Sequence, residues 1–202
     1  MGVTPHQFKQ IQERLSGARR VAAPVFDRTP AAASRGQQVI LGVDPSLRGT
    51  GYGVIRVARP VPATLGHGTI SCPANWEHSR CLFHIVKGLR QILEEHRPEV
   101  CVIEGLFYAQ NLQTALIMGE ARGAALATIA EKGIEIFELA PRKVKQAIVG
   151  YGAAQKLAVA RMVQRMLRLP ESPSPDAADA LALALTHAQG NGRYNFSSAK
   201  KV

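Results

Sequence analysis

Val39-Ile40-Leu41-Gly42-Val43-Asp44-Pro45-Ser46-Leu47-Arg48-Gly49-Thr50-Gly51-Tyr52-Gly53 passes from an unbroken apolar run, through an acid, into a glycine-rich turn. A continuous run such as Val39 to Val43 is the pattern of a strand buried on both faces, with Asp44 at its carboxyl end. Beyond the turn, Tyr52 to Val57 and Thr64 to Ser71 read as further strands, and the three together as an antiparallel meander. From about Trp76 to His96 the period becomes helical, with Leu82, Ile85, Val86, Leu89, Ile92 and Leu93 on one stripe. A second buried strand, Val100-Cys101-Val102-Ile103, ends in Glu104. Asn111 to about Lys132 reads as a helix dense in Ala and Gly, and Ile134 to Leu139 as a strand. Three helical segments close the chain: one from Pro141, one over Ala153 to Leu169, and one from Pro175 to about His187. Strands first, then alternating helix and strand, then helices, predict an α/β domain around a mixed sheet.

The flanks differ from this core. Residues 1–36 carry six Lys/Arg against two acids and are broken by Pro24, Pro30 and an Ala-rich run, the composition of a flexible basic arm. Residues 189–202 carry three basic residues and no acid, and read as a basic tail. The domain is expected over 37–188. The formal net charge of +10 points to a polyanionic partner. Sixteen bases face thirteen acids within 37–188, but four acids gathered into one pocket would leave a basic surface suited to phosphate backbones. No run reaches the roughly 18 apolar residues of a membrane span, and the first residues lack the apolar core of a secretory signal. A cytoplasmic protein is expected. Cys72, Cys81 and Cys101 are odd in number and form no CxxC pair, so buried free thiols are expected in place of zinc or disulfides.

Asp44 and Glu104 each stand at the carboxyl end of a predicted buried strand, the edge where α/β sheets build their sites. Taken singly, Asp44 equally suits a turn, since Asp-Pro opens many. Ser172-Pro173-Ser174-Pro175-Asp176-Ala177-Ala178-Asp179-Ala180 reads as a helix start, with Ser174 as N-cap and Pro175 as the first helical residue. Asp176 alone would do no more than complement the helix dipole. Asp179, one turn on, brings a second carboxylate to the same face, with Cβ atoms about 5–6 Å apart. Four convergent acids without Cys or His suit a hard, oxygen-loving ion such as Mg2+ or Mn2+. The histidines show no ligand spacing; His187 lies about 16 Å along its helix from Asp176 and is left out of the site.

At these residues the sequence resembles the RuvC family of Holliday-junction resolvases. The resemblance rests on the opening stretch, on Ile103-Glu104-Gly105-Leu106-Phe107-Tyr108-Ala109-Gln110-Asn111, on Gly119-Glu120-Ala121-Arg122-Gly123, on Val144-Lys145-Gln146 and on Asp176-Ala177-Ala178-Asp179-Ala180-Leu181. It covers roughly residues 38–188. Ser46 departs from it, standing where the family usually has Gly, and the arm is no part of the pattern. The resemblance implies a ribonuclease H-like fold, a mixed five-stranded sheet flanked by helices. It implies a structure-specific endonuclease of recombination and DNA repair that nicks four-way junction DNA symmetrically. Asp44, Glu104, Asp176 and Asp179 would then be the metal-binding catalytic acids, serving two Mg2+ ions about 3.5–4 Å apart, with Mn2+ as a substitute. Lys145 or Lys156 would add positive charge beside the scissile phosphate; the bland alternative is a solvated lysine.

Phe107 matches the family's junction-wedging aromatic, and a ring exposed beside the site could stack on an unpaired base. The alternative is that Phe107 and Tyr108 cover the end of the sheet. Arg142, Lys143, Lys145 and Lys156 form a candidate basic stripe for DNA. The small residues after Asn111 would let another helix approach closely, either within the domain or across a dimer. A homodimer and a branch-migration motor of the RuvA and RuvB type are implied by the resemblance. Three rival readings remain: an actin- or sugar-kinase-like ATPase, a nuclease of the same fold acting on RNA–DNA hybrids or on transcription intermediates, and a non-cleaving junction-binding module. The first needs a second domain and a second phosphate loop, and the last would be expected to have lost an acid.

Overall fold

The computed structural model describes residues 38–105, 111–190 and 200–202. The predicted arm over 1–36, and Phe107 and Tyr108, lie outside these. Strands β1 (Val39–Asp44), β2 (Gly49–Arg56) and β3 (Ala63–Ser71) are followed by α1 (His78–His96) and β4 (Val100–Glu104). Then come α2 (Leu112–Ala130), β5 (Glu135–Leu139), α3 (Pro141–Val149), α4 (Lys156–Leu167) and α5 (Pro175–Gly190). A two-residue strand, β6 (Lys200–Lys201), ends the chain. The sheet runs β3-β2-β1-β4-β5-β6. The expected meander β1-β2-β3 is antiparallel, whereas β1, β4 and β5 run parallel. The five expected strands are thus present in a mixed sheet. The sixth is not foreshadowed in the sequence: a Lys-Lys pair carries no apolar signal, and its backbone pairs antiparallel with Phe137 and Glu138 of β5.

Alternation along the central strands builds two cores. Leu41, Val43, Cys101 and Ile103 point to one face, where α1 and α2 cover them with Ile85, Leu89, Ala125 and Ile129. Ile40, Val100 and Val102 point to the other, under Val144 of α3, Val163 of α4 and Leu181 of α5. The apolar run is unbroken because both faces are covered. Each such side chain removed from water contributes roughly 1.5–3 kcal/mol before the entropy cost. Cys72, Cys81 and Cys101 are free and buried, as expected.

The glycines after Asp44 behave differently from their reading as a turn. β2 starts at Gly49, three residues before Tyr52, and Gly51 pairs with Asp44 while Gly53 pairs with Gly42. A Cβ on Gly51 would fall into the backbone of Asp176, and one on Gly42 into the carbonyl of Ala180. A Cβ on Gly53 would meet Leu181 Cγ at 2.6 Å. These glycines are strand residues stripped of side chains so that α5 can lie directly on the sheet. The true turn, Pro45 to Arg48, is held by Thr50, whose Oγ1 donates to Ser46 O at 2.7 Å. Ser46 keeps its φ outside the left-handed region, so a side chain replaces Gly there without strain.

Candidate active site

Strand register places Asp44 beside Glu104. Val43 pairs with Ile103 in the parallel β1–β4 ladder, so both acids leave the sheet at the same carboxyl edge. Their side chains are hydrogen-bonded to each other. The end of β1 is also aligned with Gly51, and Asp176 sits directly above that glycine. Helix α5 starts as predicted: Ser174 Oγ accepts from the Ala177 N–H at 3.4 Å, with Pro175 as the first helical residue. One turn on, Asp179 lies over the same edge, where Lys156 Nζ reaches its Oδ2 at 3.0 Å. Two strand ends and one helix face therefore bring together the four predicted acids.

Their protonation reflects crowding in a partly buried place. Burial first, then the charge of Asp179, pushes the Asp44 carboxyl up to about 6. Burial pushes Glu104 further, to about 8, with the charge and hydrogen bond of Asp44 adding to it. Burial and the neighbouring charge thus favour the protonated form of Glu104 over that of Asp44. The hydrogen bond to Asp179, ahead of its charge, raises Lys156 above the ordinary lysine value. One ammonium faces four carboxyls, a donor set of oxygens alone, and this deficit of positive charge fits a divalent ion. No three His, Cys, Asp or Glu among the described residues stand in a geometry that would hold an ion as they are. Two side-chain pairings, Glu104 with Asp44 and Lys156 with Asp179, engage three of the four acids instead.

The family model described as crossover junction endodeoxyribonuclease RuvC matches residues 40–187. The chain belongs to the RuvC family. A RuvC of Halorhodospira halophila is 45% identical over 149 residues, covering 74% of this chain and 89% of that protein. A RuvC of Protochlamydia amoebophila is 42% identical over 154 residues, covering 76% and 92% respectively. A structure of T. thermophilus RuvC in complex with Holliday junction substrate superposes with a TM-score of 0.73 at 32% identity, covering 82% of this chain and 99% of that one. The fold is the ribonuclease H-like one of RuvC, and the chain is a crossover junction endodeoxyribonuclease, a hydrolase of phosphodiester bonds in DNA. The ATPase reading falls with this.

The other predicted RuvC site residues are placed less uniformly. Phe107 and Tyr108, which follow Glu104 closely in sequence, lie outside the described residues. Helix α3 follows β5 at the same sheet edge, since Glu104 pairs with Leu139, and it carries Arg142, Lys143 and Lys145 in its first turns. Arg142 packs its aliphatic stem over Gly152. Trp76 packs against His84 and under Arg80, and His187 packs against Phe137. In the sequence Arg122 stands out only as one letter of a motif. In the structure it is buried in α2, donates to the main-chain oxygen of Glu104 at 2.9 Å, and pairs with Glu138. A lone arginine amid alanines, matched by an acid inside the apolar strand Glu135-Ile136-Phe137-Glu138-Leu139, was the available signal.

Among the described residues no helix is long and apolar enough to cross a membrane.

Proposed function

We propose that the chain resolves four-way DNA junctions by one nick in each of two opposed strands, with Asp44, Glu104, Asp176 and Asp179 as its metal-holding acids. The convergence of these four carboxyls on one sheet edge, with Lys156 as their cationic partner, carries the reading. Nucleases of this family use a divalent metal, and Mg2+ is the ion we assign, with Mn2+ as a substitute. When bound, the metal supplies activation of water and neutralisation of charge on the phosphate. The chain's own residues do the rest. Asp44 and Glu104 give up their shared proton as the pocket gains positive charge. Lys156, released from Asp179, places an ammonium beside the scissile phosphate, and Phe107 stacks on a base opened at the branch point, worth roughly 1–3 kcal/mol. Arg142, Lys143 and Lys145 hold the strand's phosphates beside the site, and the basic arm over 1–36 adds affinity independent of sequence.

Paired nicks call for a two-fold dimer. Support comes from α2, where Leu112 and Leu116 are 76% and 59% exposed, and Gly119 and Gly123 have open space where a Cβ would stand. These four share the helix face opposite the buried one, a face that a second copy would cover. A cytoplasmic location and a branch-migration motor as partner complete the proposal.

A synthetic four-way junction with Mg2+ tests it. Symmetric nicking is expected, with linear duplex and RNA–DNA hybrid left largely uncut; equal cutting of either would sink the junction assignment. Asp44→Asn should abolish cutting and keep junction binding. Phe107→Ala should cut poorly while binding Mn2+ normally.

A further inference from the structure

We infer that Arg122 is a positioning residue for Glu104, fixing the main chain of that acid so that its carboxyl can share an ion with Asp44. This rests on the reading of Glu104 as a metal-holding acid. Arg122 is 8% exposed, on the face of α2 that meets the sheet. Ala121 and Ala125 beside it are fully buried and small, which lets α2 approach closely enough for the guanidinium to reach two strands at once. On β4 it donates to the Glu104 carbonyl; on β5 it pairs with Glu138, the register partner of Ile103. From the other side the Gly105 N–H donates to Leu139 O at 2.9 Å. The peptide unit that follows Glu104 is therefore clamped at both its oxygen and its nitrogen. The guanidinium touches the backbone of Glu104 and not its carboxyl, so it acts on where the acid stands, leaving the carboxyl free to serve the pocket.

Stability alone is a poor reason for this pair. A buried ion pair roughly breaks even against apolar residues of similar volume, and fixing one conformation is its better-attested use. The parallel β1–β4 ladder ends at the pair Val43–Ile103, so on the β1 side no ladder partner among the described residues holds the backbone of Glu104, which is paired only towards β5. Arg122 supplies the missing constraint, and Glu138 keeps the planar guanidinium aimed at it.

Mn2+ binding to the full chain, followed by calorimetry without DNA, tests this apart from activity. Arg122→Met keeps the volume and is expected to weaken Mn2+ binding about 10–100-fold, the usual cost of losing an outer-shell partner. Arg122→Lys, which keeps the charge but cannot span both oxygens, should recover part of the loss. Junction affinity should stay within about threefold of the parent, so that kcat falls and KM does not. A merely structural arginine would lower the melting temperature and leave ion affinity intact well below it. Folded Arg122→Met that binds Mn2+ like the parent overturns the inference. Should that variant not fold, Arg122→Lys and Glu138→Gln take its place, and parental Mn2+ affinity in both overturns the inference equally. Failure of the parent itself to bind Mn2+, or an unchanged affinity in Asp44→Asn, would instead overturn the reading of the acids.

Discussion

The Nζ of Lys156 lies 3.0 Å from Oδ2 of Asp179, an ammonium held at the entrance to a pocket of acids. The lysine itself is well exposed, while the aspartate is largely covered. The pair therefore contributes little to stability, being screened by solvent on the lysine side. Its consequence is for charge: it keeps a cation beside the pocket, the one that in the proposed function turns to a phosphate. Lys156→Met is expected to lower the single-turnover rate about 100-fold, the scale of losing one preorganised electrostatic group. Junction affinity should hardly change. An unaltered rate at saturating enzyme would return Lys156 to the solvated surface.

A second expectation concerns pH. Asp44 and Glu104 bind their protons more tightly in the folded chain than in the unfolded one. Their stabilising contribution is complete in acid and is lost as pH rises through about 6 and then about 8. In chelator, stability should fall from about pH 4, where the unfolded carboxyls ionise, to about pH 8, by at most about 1.4 kcal/mol per pH unit for each proton held. Melting temperatures across that range read the fall. Mg2+ should reverse it by replacing the protons. Glu104→Gln, which cannot ionise, should flatten the profile; an identical slope in that variant would show that other groups cause it.

The contact of α5 with the sheet gives a third. Gly51→Ala must displace Asp176, and overpacking of this kind costs about 1–3 kcal/mol. Cleavage should fall further than the lost stability explains, because the displaced element carries two of the acids. Gly190→Ala, at the far end of α5 with open space at its Cβ, should instead be neutral or stabilise by up to about 1 kcal/mol. Thermal melts and initial rates of the two variants decide the matter, and similar behaviour of both would refute it.

The dimer face proposed for α2 gives a fourth. Leu116→Glu places a charge in the middle of the exposed stripe without touching the core. It should convert the dimer to monomer in sedimentation at micromolar concentration. Junction products should change from paired to single nicks. Dimers of unaltered strength would move the interface elsewhere.

Much of this was legible because the relevant signals are local. The two-sided burial of Val39 to Val43 showed in its unbroken apolar run, and the helix bearing Asp176 and Asp179 showed in Ser174 and Pro175. What stayed hidden depends on tertiary approach. Gly49 and Gly51 read as a turn because glycine carries the same letter whether it bends the chain or makes room for a helix. Arg122 and Glu138 are far apart in sequence, and only the packing of α2 over β4 and β5 makes them partners. Lys156 was legible as a cation near the site, but its pairing with Asp179 follows from how α4 lies against α5.

Strand β6 has a bearing on solubility. Without it, β5 would be the outermost strand and would offer the unpaired main chain of Phe137 and Glu138 to any passing extended segment. Residues 200–202 close that row, Val202 N–H donating to Ile136 O at 3.0 Å, and Lys201, paired with Glu135, puts a charge on the new edge, which disfavours further strand pairing. Strand β6 thereby works as a selvedge on the sheet, sealing a border next to the strand whose Glu138 pairs with Arg122.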